Sequence, residues 1–199
     1  MLKNIIFDLG NVLIEFNPYK FVDENVDDKY KEEFLKVVFL GKQWKEMDRG
    51  TLEYSDAMKY FKEKLPNCEK TIDKLFGEYF IECLKPIEEN IDILKELKKN
   101  YKLYIISNFH YPAFDNIYGK WEFLKLFQGK IISGHVKMLK PEEKIYNMLF
   151  EKYNLDPREC LFIDDSLENV EASKKLGMQA IHLEKPEMLY NELLKKNVI

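Results

Sequence analysis

An α/β fold with a mainly parallel sheet is what this sequence predicts, and three observations carry that expectation. From Pro86 onward, short β-favouring runs alternate with amphipathic stretches, the pattern of strands joined by crossover helices. The chain opens on another such run, KNIIFD at residues 3–8, which stops at Asp8 before a Gly10-Asn11 turn signal. Between the two, residues 18–82 carry helical periodicity and no convincing strand.

Composition is consistent with this. At 199 residues, 46% of them hydrophobic, the chain can bury a core as one large domain or as a medium domain with an insertion. Thirty-one Lys and Arg against 35 Asp and Glu give a net charge of −4. No basic excess is available to displace counterions, which argues against nucleic acid as a partner. Cys68, Cys83 and Cys160 are odd in number and lack metal-ligand spacing. No apolar run approaches the ~18–20 residues that span a bilayer. The first residues, MLKNIIFDLGNVLIEF, resemble a secretory leader only superficially, because Asp8 interrupts them and no small-residue cleavage site follows. A soluble cytoplasmic protein is expected.

The elements follow in order. Residues 3–8 read as a buried strand. Pro18 opens the helical stretch: Phe21, Val22 and Val26, then Phe34, Leu35, Val38 and Phe39, then Ala57, Met58, Phe61 and Leu65 mark successive apolar faces. Gly41, Gly50-Thr51 and Pro66-Asn67 punctuate them, which predicts a bundle of roughly four helices. Ile87–Lys99 is amphipathic; LYII at 103–106 is a strand closing on Ser107-Asn108; KIIS follows at 130–133. A helix is predicted from Pro141 to Tyr153, a strand at CLFID (160–164), a helix over 167–176 with Gly177 as its C-cap, and a last strand at QAIHL (179–183). Runs of Lys and Glu such as 29–33 read as solvated helix faces.

Three of the strand-like runs end in chemically useful residues: Asp8, Ser107-Asn108 and Asp164-Asp165. In an open parallel sheet, ligands bind beyond the carboxyl ends of the strands, so these residues converge there, with Lys140 as a fourth member. Asp8, Asp164 and Asp165 together repel one another unless a cation joins them, and an all-oxygen donor set suits Mg²⁺. A Lys, a Ser hydroxyl and backbone N–H groups beside that cation make a receptor for phosphate. Asp8 is then available as a nucleophile that forms an aspartyl-phosphate. Each residue also has an ordinary structural reading. Asp8 can be a turn residue, Ser107-Asn108 and Asp164-Asp165-Ser166 can cap helices, and Lys140 can be solvated. His110, His135 and His182 are scattered and read first as structural residues.

FDLGNVL (7–13), IISN (105–108), LKPEEKIY (139–146) and FIDDSLEN (162–169) resemble, in order and spacing, the four motifs of haloacid dehalogenase-like hydrolases. The resemblance covers most of residues 1–14 and 86–183. It implies a Rossmann-like parallel-sheet core over 1–14 and 86–199, with an inserted α-helical cap over 15–85. Carried over residue by residue, it implies that Asp8 is nucleophile and metal ligand and that the Gly10 carbonyl is a second ligand. Asp165 would bind Mg²⁺ directly, and Asp164 would bind it or act through water. Ser107 and Asn108 would hold the phosphoryl group, Lys140 would neutralise charge between phosphate and Asp8, and Asn169 would orient the acidic pair. The DLGNV variant is similar to a subgroup that includes α-D-glucose-1-phosphate phosphatases.

One position departs from the pattern. Phosphatases of this family usually carry a second Asp two residues after the nucleophile as general acid and base, and here that residue is Gly10. Such catalysis is worth about 10²–10⁴ in rate; His110, Glu15 or Asp48 are the candidates to replace it. Trp44, Met47, Asp48 and Arg49 are candidates to close over the substrate, with Arg49 reading an anion or hydroxyls. The alternatives are bundle core for Trp44 and Met47 and a surface charge for Arg49. The expected function is Mg²⁺-dependent hydrolysis of a small phosphomonoester, a sugar phosphate first among them, by a monomer or weak dimer without membrane partners. Two other readings are carried: a non-catalytic phosphate- or metabolite-binding protein, which Gly10 favours, and a 2-haloacid dehalogenase, which the acidic pair disfavours.

Overall fold

The computed structural model describes residues 1–77, 81 and 83–199. Five strands, β1 (Asn4–Phe7), β4 (Lys102–Ser107), β5 (Gly129–Ile132), β6 (Cys160–Asp164) and β7 (Gln179–His182), form a sheet in the order β5-β4-β1-β6-β7, every neighbouring pair parallel. Each lies within a residue or so of its expected place. β1 is central and buried along its length, and its residues alternate between two cores. Ile5 and Phe7 join Leu103, Ile105, Leu161 and Ile163 on one face, while Ile6 joins Tyr104, Ile106, Cys160 and Phe162 on the other. A sheet buried on both faces explains why its strands read as continuous apolar runs.

Two further strands, β2 (Ile14–Phe16) and β3 (Leu84–Pro86), pair antiparallel with Phe16 opposite Leu84. The sequence reading missed this ribbon, because three-residue strands are too short to show a period. It lies where the chain leaves the parallel sheet and where it returns.

Between β2 and β3 lie α1 (Pro18–Asn25), α2 (Lys31–Phe34) running into a π turn at Leu35–Phe39, α3 (Lys42–Arg49), α4 (Tyr54–Lys64) and α5 (Glu69–Phe76). The helical expectation for 18–82 extends onto residues 78–80 and 82, which lie outside the described residues. Asn17 Oδ1 accepts the Lys20 N–H at 3.0 Å, and Pro18 opens α1 where its missing N–H costs nothing. α3 ends at Gly50, whose φ of +76° suits glycine. A Cβ there would also strike the backbone of Gly134, so the α3 terminus packs directly on the parallel-sheet half. Phe16, Phe21, Phe34, Phe39, Trp44 and Phe76 interlock as rings within this layer.

The remaining helices are α6 (Glu88–Leu97), α7 (Tyr111–Lys120), α8 (Ser133–Val136), α9 (Glu143–Tyr153), α10 (Leu167–Lys175) and α11 (Leu189–Lys195). α6 presents Leu94 and Leu97 to one core, and α9 presents Ile145, Tyr146 and Leu149 to the other. α9 begins at Glu143 rather than Pro141, because residues 139–142 form a turn in which the Glu142 N–H donates to Leu139 O at 2.8 Å. α10 ends one residue before the expected Leu176, and Gly177, at φ +94°, follows it in the left-handed region. α7, α8 and α11 carry no prediction from the sequence. Among the described residues, no helix is long and apolar enough to cross a membrane.

Candidate active site

β1, β4 and β6 end side by side because their registers are matched: Phe7 lies opposite Ile105 and Ile163. The next residues therefore emerge together. Asp8 is anchored by its N–H donating to Ile163 O at 2.9 Å. Ser107 Oγ donates to Asp8 Oδ1 at 2.7 Å. Lys140 Nζ lies 2.8 Å from Asp8 Oδ1 and 2.6 Å from Asp164 Oδ2, and all three side chains are buried. Asp164 Oδ1 accepts from the Ser166 N–H and from Asn169 Nδ2, each at 2.9 Å. Asn11 Nδ2 donates to Asp165 Oδ2 at 3.0 Å.

Lys140 reaches this cluster from a turn, and Asn108 fixes the turn. Asn108 Oδ1 accepts the Lys140 N–H at 2.9 Å, and Asn108 Nδ2 donates to Lys140 O at 3.1 Å. Ser107 and Asn108 therefore do not cap α7, whose N-cap is His110 without a side-chain hydrogen bond. Asp164 does take a capping-type role toward Ser166, but its second oxygen holds Lys140.

The electrostatics follow from burial. Desolvation, with Asp164 and Asp165 adding to it, pushes the Asp8 carboxyl up to about 7 although Lys140 pulls the other way. The Asp165 carboxyl is likewise raised, by desolvation first. Burial disfavours the Lys140 ammonium, yet Asp164 and Asp8 outweigh it and raise the amine above its ordinary value. Asp8, Asp164 and Asp165 each offer a carboxylate oxygen, all within 4.8 Å of one another. Three mutually repelling carboxylates and one lysine leave net negative charge at a partly buried point, and that donor set fits a small hard cation such as Mg²⁺.

The insertion contributes a second wall. Asp48, near the end of α3, has its Oδ1 3.3 Å from His110 Nε2. The Tyr54 hydroxyl lies 3.0 Å from His110 Nδ1, and the Trp44 ring packs on the imidazole at 4.5 Å between centroids. Burial, reinforced by the Asp8 charge and opposed by Lys140, raises the Asp48 carboxyl to about 8. Burial lowers His110 to about 3 against a hydrogen bond with the Trp44 backbone. Ser133 Oγ accepts the Phe109 N–H at 2.9 Å and donates to Asp48 O at 2.5 Å, tying α3 to the end of β5.

Two adjoining cavities meet here. An open one of about 530 Å³ is lined by Asp8, Lys140, Asp165, Asn169 and Arg49. A smaller one of about 180 Å³ is walled by Ile14, Phe16, Trp44, Leu84 and Phe109 over Gly10. Asp48 and Asn108 line both.

The structure thus brings Asp8, Ser107, Asn108, Lys140, Asp164, Asp165 and Asn169 into one network, with Gly10 at its edge. Trp44 and Asp48 face the smaller cavity, whereas Arg49 pairs with Glu142 at 2.5 Å on the rim and Met47 is core. Glu15 is exposed on β2 in a separate groove with Asn17 and Lys85. The sequence reading missed Ile14, Phe16, Leu84 and Phe109 as cavity walls, and Asn11 as a support for Asp165. Apolar residues in three separate segments carry no local signal that they share a wall.

Comparison with known proteins agrees in family and fold. A model of the haloacid dehalogenase-like hydrolases matches residues 5–183. A sesquiterpene phosphatase, astK, of Aspergillus oryzae is 29% identical over 189 residues, which are 91% of this chain and 89% of that protein. A D-ribitol-5-phosphate phosphatase of Bacteroides thetaiotaomicron is 23% identical over 92% of this chain and 93% of its own. The crystal structure of a family enzyme from the same bacterium, in complex with magnesium and inorganic phosphate, superposes with a TM-score of 0.72 at 24% identity, covering 91% of this chain and 93% of that one.

Proposed function

This chain belongs to the haloacid dehalogenase-like hydrolases, and from that premise we propose that it is a Mg²⁺-dependent phosphatase of small phosphomonoesters acting through an aspartyl-phosphate on Asp8. The observation that carries the reading is the buried chain Ser107–Asp8–Lys140–Asp164, set in a cluster of three carboxylates at the end of a parallel sheet. Relatives named as phosphatases of quite different alcohols support phosphoryl transfer as the shared chemistry.

In this reading Asp8, the Gly10 carbonyl, Asp164 and Asp165 hold the cation, with Asn169 orienting Asp164. Bound Mg²⁺ supplies charge neutralisation for the carboxylates and the phosphoryl oxygens. Ser107 and Lys140 hold the Asp8 carboxylate in line, and Asn108 holds Lys140. Asp8 Oδ attacks phosphorus, the bond from phosphorus to the ester oxygen breaks, and the departing alkoxide takes a proton. Asp48 lines the open cavity with Asp8 and the smaller one with Gly10, and in this reading its carboxyl is the donor in place of the missing Asp. Water then attacks the aspartyl-phosphate, gives its proton back to Asp48, and releases inorganic phosphate with Asp8 regenerated. Residues 15–85 act as a cap that excludes bulk water. The three-carboxylate cluster favours phosphoryl transfer over dehalogenation, which needs no cation.

A sugar phosphate, expected from the sequence, and the ester of an apolar alcohol both satisfy the phosphate end; the leaving-group side separates them. The test of the reaction class is phosphate release from acetyl phosphate and a panel of alkyl phosphates, with Mg²⁺ and with EDTA. Metal-dependent release that vanishes in Asp8→Asn is expected. Mg²⁺-dependent phosphate binding without turnover on any ester would instead select the non-catalytic reading.

A further inference from the structure

We infer that the natural substrate carries a compact apolar alcohol of about the bulk of a benzene ring, seated in the smaller cavity, and not a sugar or polyol. The inference rests on the phosphatase reading above and adds the leaving group to it.

The walls are the first reason. The cavity beside the Asp8 cluster is faced by Ile14, Phe16, Trp44, Leu84 and Phe109. Apart from Asp48, whose carboxyl is assigned to the ester oxygen, its polar side chains are already engaged. Both ends of the Asn108 amide are spent on the Lys140 backbone. His110 is held between the Tyr54 hydroxyl and Asp48. A sugar seated here would bring several hydroxyls to a lining with almost nothing left to pair them, and an unpaired buried hydroxyl is costly.

Size is the second reason. At about 180 Å³ the space is close to that of an apolar cavity of about 150 Å³ that admits benzene. Gly10 is the third. A Cβ built at this residue meets nothing within 4 Å, so the floor is open where the family usually places a carboxylate. The missing side chain leaves an apolar group free to lie against the backbone, in a space that Asp48 also lines. Branched alkyl or alkenyl alcohols of about five carbons, and benzyl alcohol, have the required bulk and no second polar group.

The experiment compares kcat/KM for 3-methylbutyl phosphate and benzyl phosphate with that for ribitol 5-phosphate and glucose 6-phosphate, all alkyl esters, with Mg²⁺. An advantage of about 10²-fold for the apolar pair is expected. Phe16→Asn should cut that ratio about tenfold and Phe16→Leu should preserve it, which distinguishes loss of an apolar wall from a general packing defect. Equal or better turnover of the polyol esters overturns the inference and leaves the phosphatase reading standing. Failure of every ester, with Mg²⁺ present, overturns the phosphatase reading itself and this inference with it.

Discussion

In the carboxylate cluster each of the four charged side chains is held by a neighbour: Asp8 by Ser107 and Lys140, Lys140 by Asp164, Asp164 by Asn169 and Ser166, Asp165 by Asn11. In the adjoining smaller cavity the walls are rings and aliphatic groups held by packing, with Phe16 stacked on Trp44 at 5.7 Å and Trp44 against Phe39 at 4.9 Å. The first is made by the carboxyl ends of the central parallel strands, the second by the inserted helices and the β2–β3 ribbon. Directional bonds fix the charged cluster, whereas non-directional contacts set only the size and polarity of the smaller cavity. The first is expected to tolerate almost no substitution, the second a good deal.

That contrast can be broken at several points. Asp8→Asn should reduce kcat by roughly 10⁴–10⁶-fold, the scale on which nucleophile loss is felt in other hydrolases. Its thermal midpoint should not fall, because one charge leaves a self-repelling cluster. More than about 1% residual turnover would remove Asp8 from the chemistry. Asp48→Asn should slow alkyl esters by about 10²–10⁴-fold and a p-nitrophenyl ester far less, since only a poor leaving group needs the proton. Equal losses on both would assign Asp48 a structural part. Lys140→Met leaves Asp8 and Asp164 buried without their counter-charge, and urea unfolding should show a loss of about 3–5 kcal/mol. A loss below about 1 kcal/mol would mean the carboxylates are already neutral without it.

Two smaller effects sharpen the other side. His110 stays neutral in the folded protein down to about pH 3, while the unfolded chain takes a proton near its ordinary 6.5. The unfolded state therefore binds more protons between those values, and stability falls as pH drops from about 6.5 toward 3. The cost is about 3 kcal/mol at pH 4. Asp48 and Tyr54 face the ring, so the clean comparison is with His110→Asn, whose stability should decline less over that window; identical acid limbs would contradict the assignment. Last, Arg49→Ala removes a half-exposed pair with Glu142 and should lower stability by no more than about 0.5 kcal/mol. A larger drop in the melting curve would show that this rim contact holds α3 to the core.

The same contrast governs what the sequence reveals. Strand ends with Asp8, Ser107 and Asp164-Asp165 are legible because a parallel sheet forces its carboxyl ends together, so short local motifs are enough. The apolar pocket is not legible, since Ile14, Phe16, Leu84 and Phe109 are ordinary core residues until the fold joins them. Asp48 is one of three candidates for the vacant proton-donor role, and only the fold shows that it shares a cavity with Asp8 while Glu15 lies in a separate groove. The β2–β3 ribbon and α7 were hidden for simpler reasons. One is too short to have a period, and the other starts in FHYP, where aromatic residues and proline mask a helix.

The two-way amide pairing between Asn108 and the Lys140 backbone joins residues 32 apart in sequence as though they were adjacent rungs of a ladder. Everything between them (α7, β5 and α8) is thereby a closed excursion whose ends meet. Length changes within that excursion need not reach the charged cluster. Its two ends differ in kind: a substitution at Asn108 cuts both bonds at once, whereas one at Lys140 leaves them in place, because the partners there are its backbone N–H and C=O. Asn108 thereby places the backbone that carries the Lys140 ammonium, so a cycle of Asn108→Ala with Lys140→Met should depart from additivity by about 0.5–3 kcal/mol. Insertions into the segment and point changes at its two ends would thus follow opposite rules in any drifting population of this chain.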